Sequence, residues 1–228
     1  MLVNIRNTED DVFNRWRRKD ESFVVDGAPN PTAFIASRVK TVIVLKEVNA
    51  PKLRGDFDLR HQLENDPDSW WRTVANWCAA LSHFEEAQPW AKLQALPIKA
   101  CLAPFVFMQL KKSVGGGLSD FDTILKYALR DAKEIREQLS IYRPDVIVCA
   151  GVGQILASVL GGTVWHHTER GTRFGEVSLH NDRPTYLIDY MHPSARAMKN
   201  IVCFGLLDAY REVVKKLASP KDWDQNVR

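Results

Sequence analysis

Residues 185–197, TYLIDYMHPSARA, are the stretch that decides the fold. Their first four residues are typical of a buried strand, and a long helical pattern follows the stretch. Because ligands of open α/β sheets bind at the carboxyl ends of strands, we expect His192 at a ligand-binding edge. A helix N-terminus directly after it would offer N–H groups to a phosphate, with Ser194 or a neighbour as the cap. The alternative is an ordinary strand-to-helix turn that carries a solvated histidine.

A second stretch, residues 41–51 with the sequence TVIVLKEVNAP, predicts another strand end with polar side chains. Its first five residues are apolar and mostly β-branched, which indicates a buried parallel strand. Glu47 and Asn49 follow that strand, where they are costly to desolvate unless they are used or paired. Either side chain can hold a water molecule for attack on an electrophile. Alternatively, Glu47 pairs with Lys46 or a distant arginine, and Asn49 forms a turn before Pro51.

Composition predicts an ordinary globular protein. The chain has 228 residues, of which 45% are hydrophobic and 26% are charged. This length suits a single α/β domain, 1–228, with residues 1–40 as an N-terminal extension that packs on it. The net charge of +3 permits nucleic-acid binding without demanding it.

The cysteines and the apolar runs indicate a soluble, cytoplasmic protein. Four cysteines are widely spread, and no CxxC pair occurs. No apolar run approaches the roughly 20 residues that span a bilayer, so no membrane association is expected. A metal site at His166, His167 and Glu169 is not expected, because adjacent residues of a strand point to opposite faces.

Alternation of strand and helix patterns predicts an α/β fold of three layers, αβα, around a central four-stranded parallel sheet. Strands are expected at 41–45, 104–108, 145–150 and 185–188, with a hairpin at 163–177. Helices are expected at 11–17, 69–85, 121–139 and 154–160 and from residue 198 onward. The helix at 69–85 takes Trp70 and Trp77 as members of its apolar face. Gly151 and Gly153 lack the third glycine and the acidic residue of a dinucleotide site, so no such cofactor is expected.

The order of the polar strand ends carries a family resemblance. The segments are KEVN at 46–49, MQLKK at 108–112, the strand PDVIVCAG at 144–151 and HPS at 192–194, and a hairpin with Arg170 and Gly171 precedes the last of them. This order resembles the uracil-DNA glycosylase superfamily over roughly residues 40 to 215. The layout is most similar to the bacterial and archaeal branch with a Gly-Glu-Ala-Pro-Gly first motif.

The resemblance implies a DNA glycosylase that extrudes a base from DNA and needs no cofactor. His192 would donate a hydrogen bond to the departing base, while Glu47 or Asn49 would orient the water. Gln109 would recognise the base edge, and Phe57 would stack beneath the base. The residues implied to contact the DNA backbone, or the gap that the base leaves, are Ser194, Arg196, Lys111, Lys112 and Arg170. A monomer is expected.

Several residues of this chain differ from the family pattern, and the differences bear on which base is the substrate. Lys46 replaces a glycine, Asn49 replaces a proline, and Gln109 replaces a shorter asparagine. The cysteines do not stand where the branch holds its iron–sulfur cluster, so no cluster is expected. These changes favour an unusual or bulky pyrimidine, such as the glucosylated hydroxymethylcytosine that an antiphage branch removes from viral DNA. Alternatives are a repair glycosylase for uracil or another deaminated or oxidised base, a non-catalytic DNA-binding relative, and an unrelated nucleotide-binding α/β protein.

Overall fold

The structure, a computed structural model, describes residues 4–18, 22–49, 55–86, 88–116, 120–180 and 183–218. The strands in these residues are β1 (Val24–Val25), β2 (Thr41–Leu45), β3 (Phe57–Asp58), β4 (Val106–Gln109), β5 (Val146–Ala150), β6 (Trp165–His167), β7 (Arg173–His180) and β8 (Arg183–Tyr190). The α-helices are α1 (Ile5–Trp16), α2 (Pro31–Ala36), α3 (Leu59–Asn65), α4 (Arg72–Ser82), α5 (Trp90–Ala95), α6 (Ile98–Leu102), α7 (Phe121–Arg130), α8 (Ala132–Tyr142), α9 (Gly153–Val159) and α10 (Lys199–Ala218). A 3₁₀ turn, Ser69–Trp71, precedes α4.

The main sheet has six strands in the order β4-β2-β5-β8-β7-β6. The first four are parallel, as the sequence predicts, whereas β7 and β6 pair antiparallel to β8 and to each other. The sequence therefore predicts two strands too few for this sheet, because the predicted hairpin forms β6 and β7 at its edge. In β7, Phe174 belongs to the core on one face of the sheet and Val177 to the core on the other face, so both faces of this strand take part in packing. A separate two-stranded parallel sheet joins β1 and β3.

Helices cover both faces of the main sheet. Side chains of β2 alternate between two cores, with Ile43 and Leu45 on one face and Val42 and Val44 on the other. The first face packs on α3, α4, α5, α6 and α10, and the second on α1, α2, α7, α8 and α9. The chain is thus a mixed α/β protein with a mostly parallel sheet. None of the helices in the described residues is long and apolar enough to cross a membrane.

Two helix predictions need correction. The helix expected at 121–139 is divided into α7 and α8 at Asp131, whose carboxylate accepts hydrogen bonds from Arg130 and Arg18. The last helix does not begin after Pro193, because residues 193–197 form turns and α10 starts at Lys199. Ser194 therefore does not cap a helix, and its side chain bonds to His192 instead.

A buried carboxylate, Asp26, joins the end of β4 to the N-terminal segment. It accepts hydrogen bonds from the Gln109 backbone N–H at 2.6 Å, from Lys112 Nζ at 2.6 and 2.7 Å, and from Gln138 Nε2 at 2.8 Å. The ammonium of Lys112 also lies 4.9 Å from the ring centroid of Trp16 in α1. Burial lowers the pKa of Lys112, and the negative charge of Asp26 opposes that shift.

The environment of Lys112 differs from the DNA contact that the resemblance implies. Only 3% of the residue is exposed, and its ammonium is enclosed by Asp26 and Trp16. A phosphate contact would require breaking a buried ion pair, which is costly because each charge would lose its partner. We therefore assign Lys112 to the stability of this edge of the sheet.

Replacing Asp26 with alanine is expected to lower the free energy of unfolding by about 3 to 5 kcal/mol, because the Lys112 ammonium stays buried without a partner. The matched control is Glu85→Ala, which breaks an exposed pair with Arg38 and is expected to cost less than about 1 kcal/mol. Urea unfolding measures both values. Adding Lys112→Met to Asp26→Ala is expected to restore part of the loss. Equal effects of the Asp26 and Glu85 substitutions would contradict the assignment.

Candidate functional site

Four parallel strands end side by side at one edge of the sheet, and most of the predicted site residues follow them. The Lys111 N–H bonds to the Lys46 carbonyl at 3.0 Å, and the Gly151 N–H bonds to the Tyr190 carbonyl at 2.7 Å. The segment after β4 thus lies beside the segment after β2, and the turn after β5 lies beside the end of β8. Gln109 and His192 stand on the outer two of these strand ends, three strand spacings or about 14 Å apart along the edge.

Gly151 allows the two most informative stretches to approach each other. Its φ of +76° lies in the left-handed region that favours glycine. A Cβ at this position would lie 3.2 Å from Cβ of His192 and 3.5 Å from Cε of Lys46. A larger residue would therefore be strained by this φ and would crowd His192, whereas its contact with the end of the Lys46 side chain would be an ordinary one.

Hydrogen bonds of His192 define its tautomer. The Ser194 backbone N–H donates to Nδ1 at 3.3 Å, so Nδ1 is an acceptor that carries no proton. The Ser194 hydroxyl, 2.7 Å from Nδ1, then donates to the same nitrogen. In the neutral ring the proton consequently lies on Nε2, which is left as a hydrogen-bond donor.

The surroundings keep the His192 ring neutral. Burial lowers the pKa of His192 to about 4, and the positive charges of Lys46 and Lys199 act in the same direction. The ordinary value is about 6.5, so the ring carries no charge near neutral pH. A neutral ring with the proton on Nε2 can stabilise a developing negative charge by hydrogen bonding.

Glu47 has a different partner from those that the sequence suggests. Its carboxylate forms an ion pair with Lys111 Nζ, and the side chains are only 5% and 8% exposed, respectively. Lys111 also donates to the carbonyls of Ser113 and Val114, so its ammonium is held inside the protein. The resemblance implies a DNA contact for Lys111, and these contacts assign it instead to the positioning of Glu47.

Gly115 completes the environment of Glu47. A Cβ on Gly115 would overlap the carboxylate, with only 2.0 Å to its carbon atom, so glycine is needed for this packing. The Gly115 N–H bonds to the Val48 carbonyl, and Asn49 pairs with Gly115 as an isolated bridge. Asn49 is exposed, and Pro51, which would follow its suggested turn, lies outside the described residues.

Gln109, the last residue of β4, carries an unsatisfied polar atom. The residue is 3% exposed, and Oε1 has no hydrogen-bond partner among the described residues. In the strand alternation its side chain lies on the same face as Phe107, which belongs to the core that also packs against Phe57. A buried acceptor without a partner is unfavourable by about 1 to 3 kcal/mol. Because Oε1 is closed to solvent, a ligand with a donor group would remove that penalty only after neighbouring side chains move aside.

The exposed basic residues surround the same edge. Arg196 and Ser194 lie in the turns after His192 and are exposed. Arg170 lies between β6 and β7, is 73% exposed at its side chain and pairs with Asp208 of α10 at 2.8 Å. Because Arg173 pairs with Asp189, the turn that carries Arg170 is at the carboxyl end of β8.

A cleft of about 370 Å³ lies between that turn and the end of β8. Its lining residues are Gly171, Thr172, Arg173, Asp189, Tyr190 and Met191. Within the part of the chain that the structure describes, no three His, Cys, Asp or Glu side chains are grouped as metal ligands would be. The ring of His166 packs against Phe174.

No known protein-family model matches the sequence. No curated protein matches it significantly either. The resemblance to the uracil-DNA glycosylase superfamily therefore depends on the short sequence motifs alone.

The pKa of His192 provides a test of its environment. In a ¹⁵N NMR titration the ring is expected to stay neutral, with the proton on Nε2, until the pH falls to about 4. Lys46→Met removes a neighbouring positive charge and is expected to raise this pKa, whereas Lys126→Met, on the exposed face of α7, leaves it unchanged. The unfolded chain binds the proton below about pH 6.5. The contribution of His192 to stability is therefore complete above that value and falls as the pH decreases toward 4. A ring that titrates near 6.5 in the folded protein would contradict this description.

Gln109→Leu is expected to raise the free energy of unfolding of the ligand-free protein by about 1 kcal/mol or more, because it removes a buried acceptor that has no partner. Gln138→Leu is the matched control, since its amide nitrogen donates to Asp26 and Tyr142 and its loss is expected to lower stability. Thermal and urea unfolding report both effects. A destabilised Gln109→Leu variant would show that the oxygen has a partner in the free protein.

Proposed function

We propose that the protein is a DNA glycosylase that extrudes a modified pyrimidine from DNA and hydrolyses its N-glycosidic bond, leaving an abasic site. The main support is the pairing of two groups at the sheet edge. A neutral histidine with an Nε2 donor, His192, stands at the same sheet edge as the buried, unpartnered oxygen of Gln109. A base bound between them would receive a hydrogen bond from His192 and give one to Gln109. Uracil offers an N–H at its edge, and cytosine derivatives offer an amino group.

The roles of the other edge residues follow from the charges of the reaction. When the glycosidic bond breaks, its electron pair moves to the base and the sugar becomes positive. His192 would stabilise the base anion through Nε2. The carboxylate of Glu47 would offset the positive sugar, and Glu47 or Asn49 would orient the attacking water. As water adds to the anomeric carbon, its proton would pass to Glu47.

Lys111 fits this scheme as a positioning residue. It donates to Oε2 of Glu47, which fixes the carboxylate and leaves Oε1 as the oxygen that would hold the water. The long lysine side chain is itself fixed by two backbone carbonyls and lies 5.3 Å from the ring centroid of Tyr127. A carboxylate held in this way would lose little conformational freedom when the substrate binds.

Beside His192 the sheet edge leaves open space for a substituent on the base. The cleft of about 370 Å³ beside Met191 is next to His192 in the chain, and its polar lining includes the Arg173–Asp189 ion pair. A group attached to the pyrimidine could extend into this space. We therefore propose glucosylated hydroxymethylcytosine of viral DNA as the first substrate to test, with antiviral defence as the role. Repair of uracil or another deaminated or oxidised base is the alternative.

The DNA contacts are proposed for the exposed residues alone. Ser194 and Arg196 follow His192 directly, and Arg170 lies in the neighbouring turn. Met191 and Met198, which flank the same loop, are 42% and 65% exposed and could pack against unstacked bases. We propose a cytoplasmic monomer, and the four free, buried cysteines support a reducing compartment.

Base release from a panel of DNAs tests the function. The panel holds uracil, hypoxanthine, hydroxymethylcytosine and its glucosylated form, and the products are scored as alkali-labile sites in single turnovers. His192→Ala is expected to slow release roughly 10²- to 10³-fold, because a hydrogen bond to the developing anion is lost. Glu47→Gln is expected to slow release by about 10²-fold or more. The rate for the active substrate is expected to stay constant from about pH 8 to about pH 5 as far as His192 determines it.

The matched control is His83→Ala, which removes an exposed histidine after α4 and is expected to leave the rate unchanged. Release of uracil alone would support the repair alternative. DNA binding without release from any substrate would support a non-catalytic relative. A His192→Ala variant that releases the base at the rate of the unaltered protein would contradict the mechanism.

A further inference from the structure

Trp70 is an exposed aromatic residue at the candidate site that the helical pattern assigns to a core. It lies in the 3₁₀ turn before α4, and 47% of it is exposed. Its ring centroid is 6.4 Å from that of His192, with the planes tilted by 52°, so the two rings are not stacked face to face. A large indole surface beside a histidine at a ligand-binding edge is well suited to contact a planar ligand.

The ring and the backbone of Trp70 are held in place by neighbouring residues. Its ring packs edge-on against Trp71 at 5.0 Å, and Trp71, which is buried, packs edge-on against Phe107 of β4 at 5.3 Å. Its backbone N–H donates to Asp68 at 2.9 Å, and Gln62 of α3 donates to the other oxygen of that carboxylate. The exposed ring is thus anchored to the sheet through two aromatic contacts and to α3 through Asp68. Little conformational freedom would be lost when a ligand packs on it.

We propose that Trp70 is a stacking platform for a nucleobase of the bound DNA strand, next to the base that His192 contacts. This inference rests on the proposed function, because it takes DNA as the ligand. Every base has a flat face, so stacking on an indole is tolerant of sequence. Trp70 would then supply affinity for the strand, while Gln109 and His192 select the base.

Binding of two single-stranded oligonucleotides of equal length and charge tests the inference. One carries bases throughout, and the other carries abasic spacers around the central nucleotide; fluorescence anisotropy gives the affinities. Trp70→Ala is expected to weaken binding of the first roughly 5- to 150-fold, the range for loss of one base–aromatic stack. The affinity for the second is expected to be unchanged. Trp70→Phe keeps an aromatic face and is expected to retain most of the affinity, whereas Trp70→Leu, which keeps only apolar bulk, is not.

Controls separate stacking from other causes. Leu129→Ala shortens another exposed apolar side chain, on α7, and is expected to change neither affinity. Equal losses on both oligonucleotides, or no loss on either, would overturn the inference. If Trp70→Ala fails to fold, the comparison of Trp70→Phe with Trp70→Leu decides. Base release with binding that is independent of Trp70 would refute the platform alone. Binding that depends on Trp70 without base release would refute the glycosylase proposal alone.

Discussion

The buried carboxylate of Asp26 is the constraint on which the candidate site depends. It fixes the backbone at Gln109 and holds the ammonium of Lys112, two residues that bracket the end of β4. Its third partner, Gln138, belongs to α8, so one carboxylate ties the N-terminal segment, a strand end and a helix together. A carboxylate in this position must keep all its partners, because an unpaired buried charge is strongly unfavourable. The geometry around Gln109 is therefore set by a network that lies behind the site.

A consistent electrostatic arrangement follows along the same edge. Glu47 is neutralised by Lys111, whereas burial, together with the positive charges of Lys46 and Lys199, lowers the pKa of His192 and keeps its ring uncharged. The edge thus offers a fixed carboxylate at one strand end and a neutral donor two strands away. A reaction that creates a cation and an anion at neighbouring atoms matches that separation of roles, since each charge would meet a group already in place.

Much of the fold can be predicted from the sequence, because apolar runs such as 41–45 and 146–150 are too short for buried helices and rich in β-branched residues. The α7–α8 division cannot, since the apolar period continues through it and only the ionic contacts of Asp131 interrupt it. The short helices α2, α3, α5 and α6 are equally hard to detect, because each has two turns or fewer and its apolar residues show little periodicity.

The candidate site is only partly predictable. The strand ends place Glu47 and His192 at one edge of the sheet, but the partners of their side chains depend on segments that are distant in the sequence. The periodicity of 69–85 takes Trp70 as apolar core, since a pattern cannot tell a buried indole from an exposed one.

The lysines show where composition and structure diverge most. Lys111 and Lys112 follow a strand end and precede a glycine loop, a context that suggests phosphate contacts, yet both are engaged inside the protein. Removing two cations from the surface leaves Arg170 and Arg196 as the exposed basic residues predicted for DNA. In the proposed DNA complex, these two residues would release few counterions, so the electrostatic share of the affinity would be small. Recognition would then depend more on contacts with an extruded base and its neighbours. The unpartnered oxygen of Gln109 and the exposed, anchored indole of Trp70 are suited to these contacts.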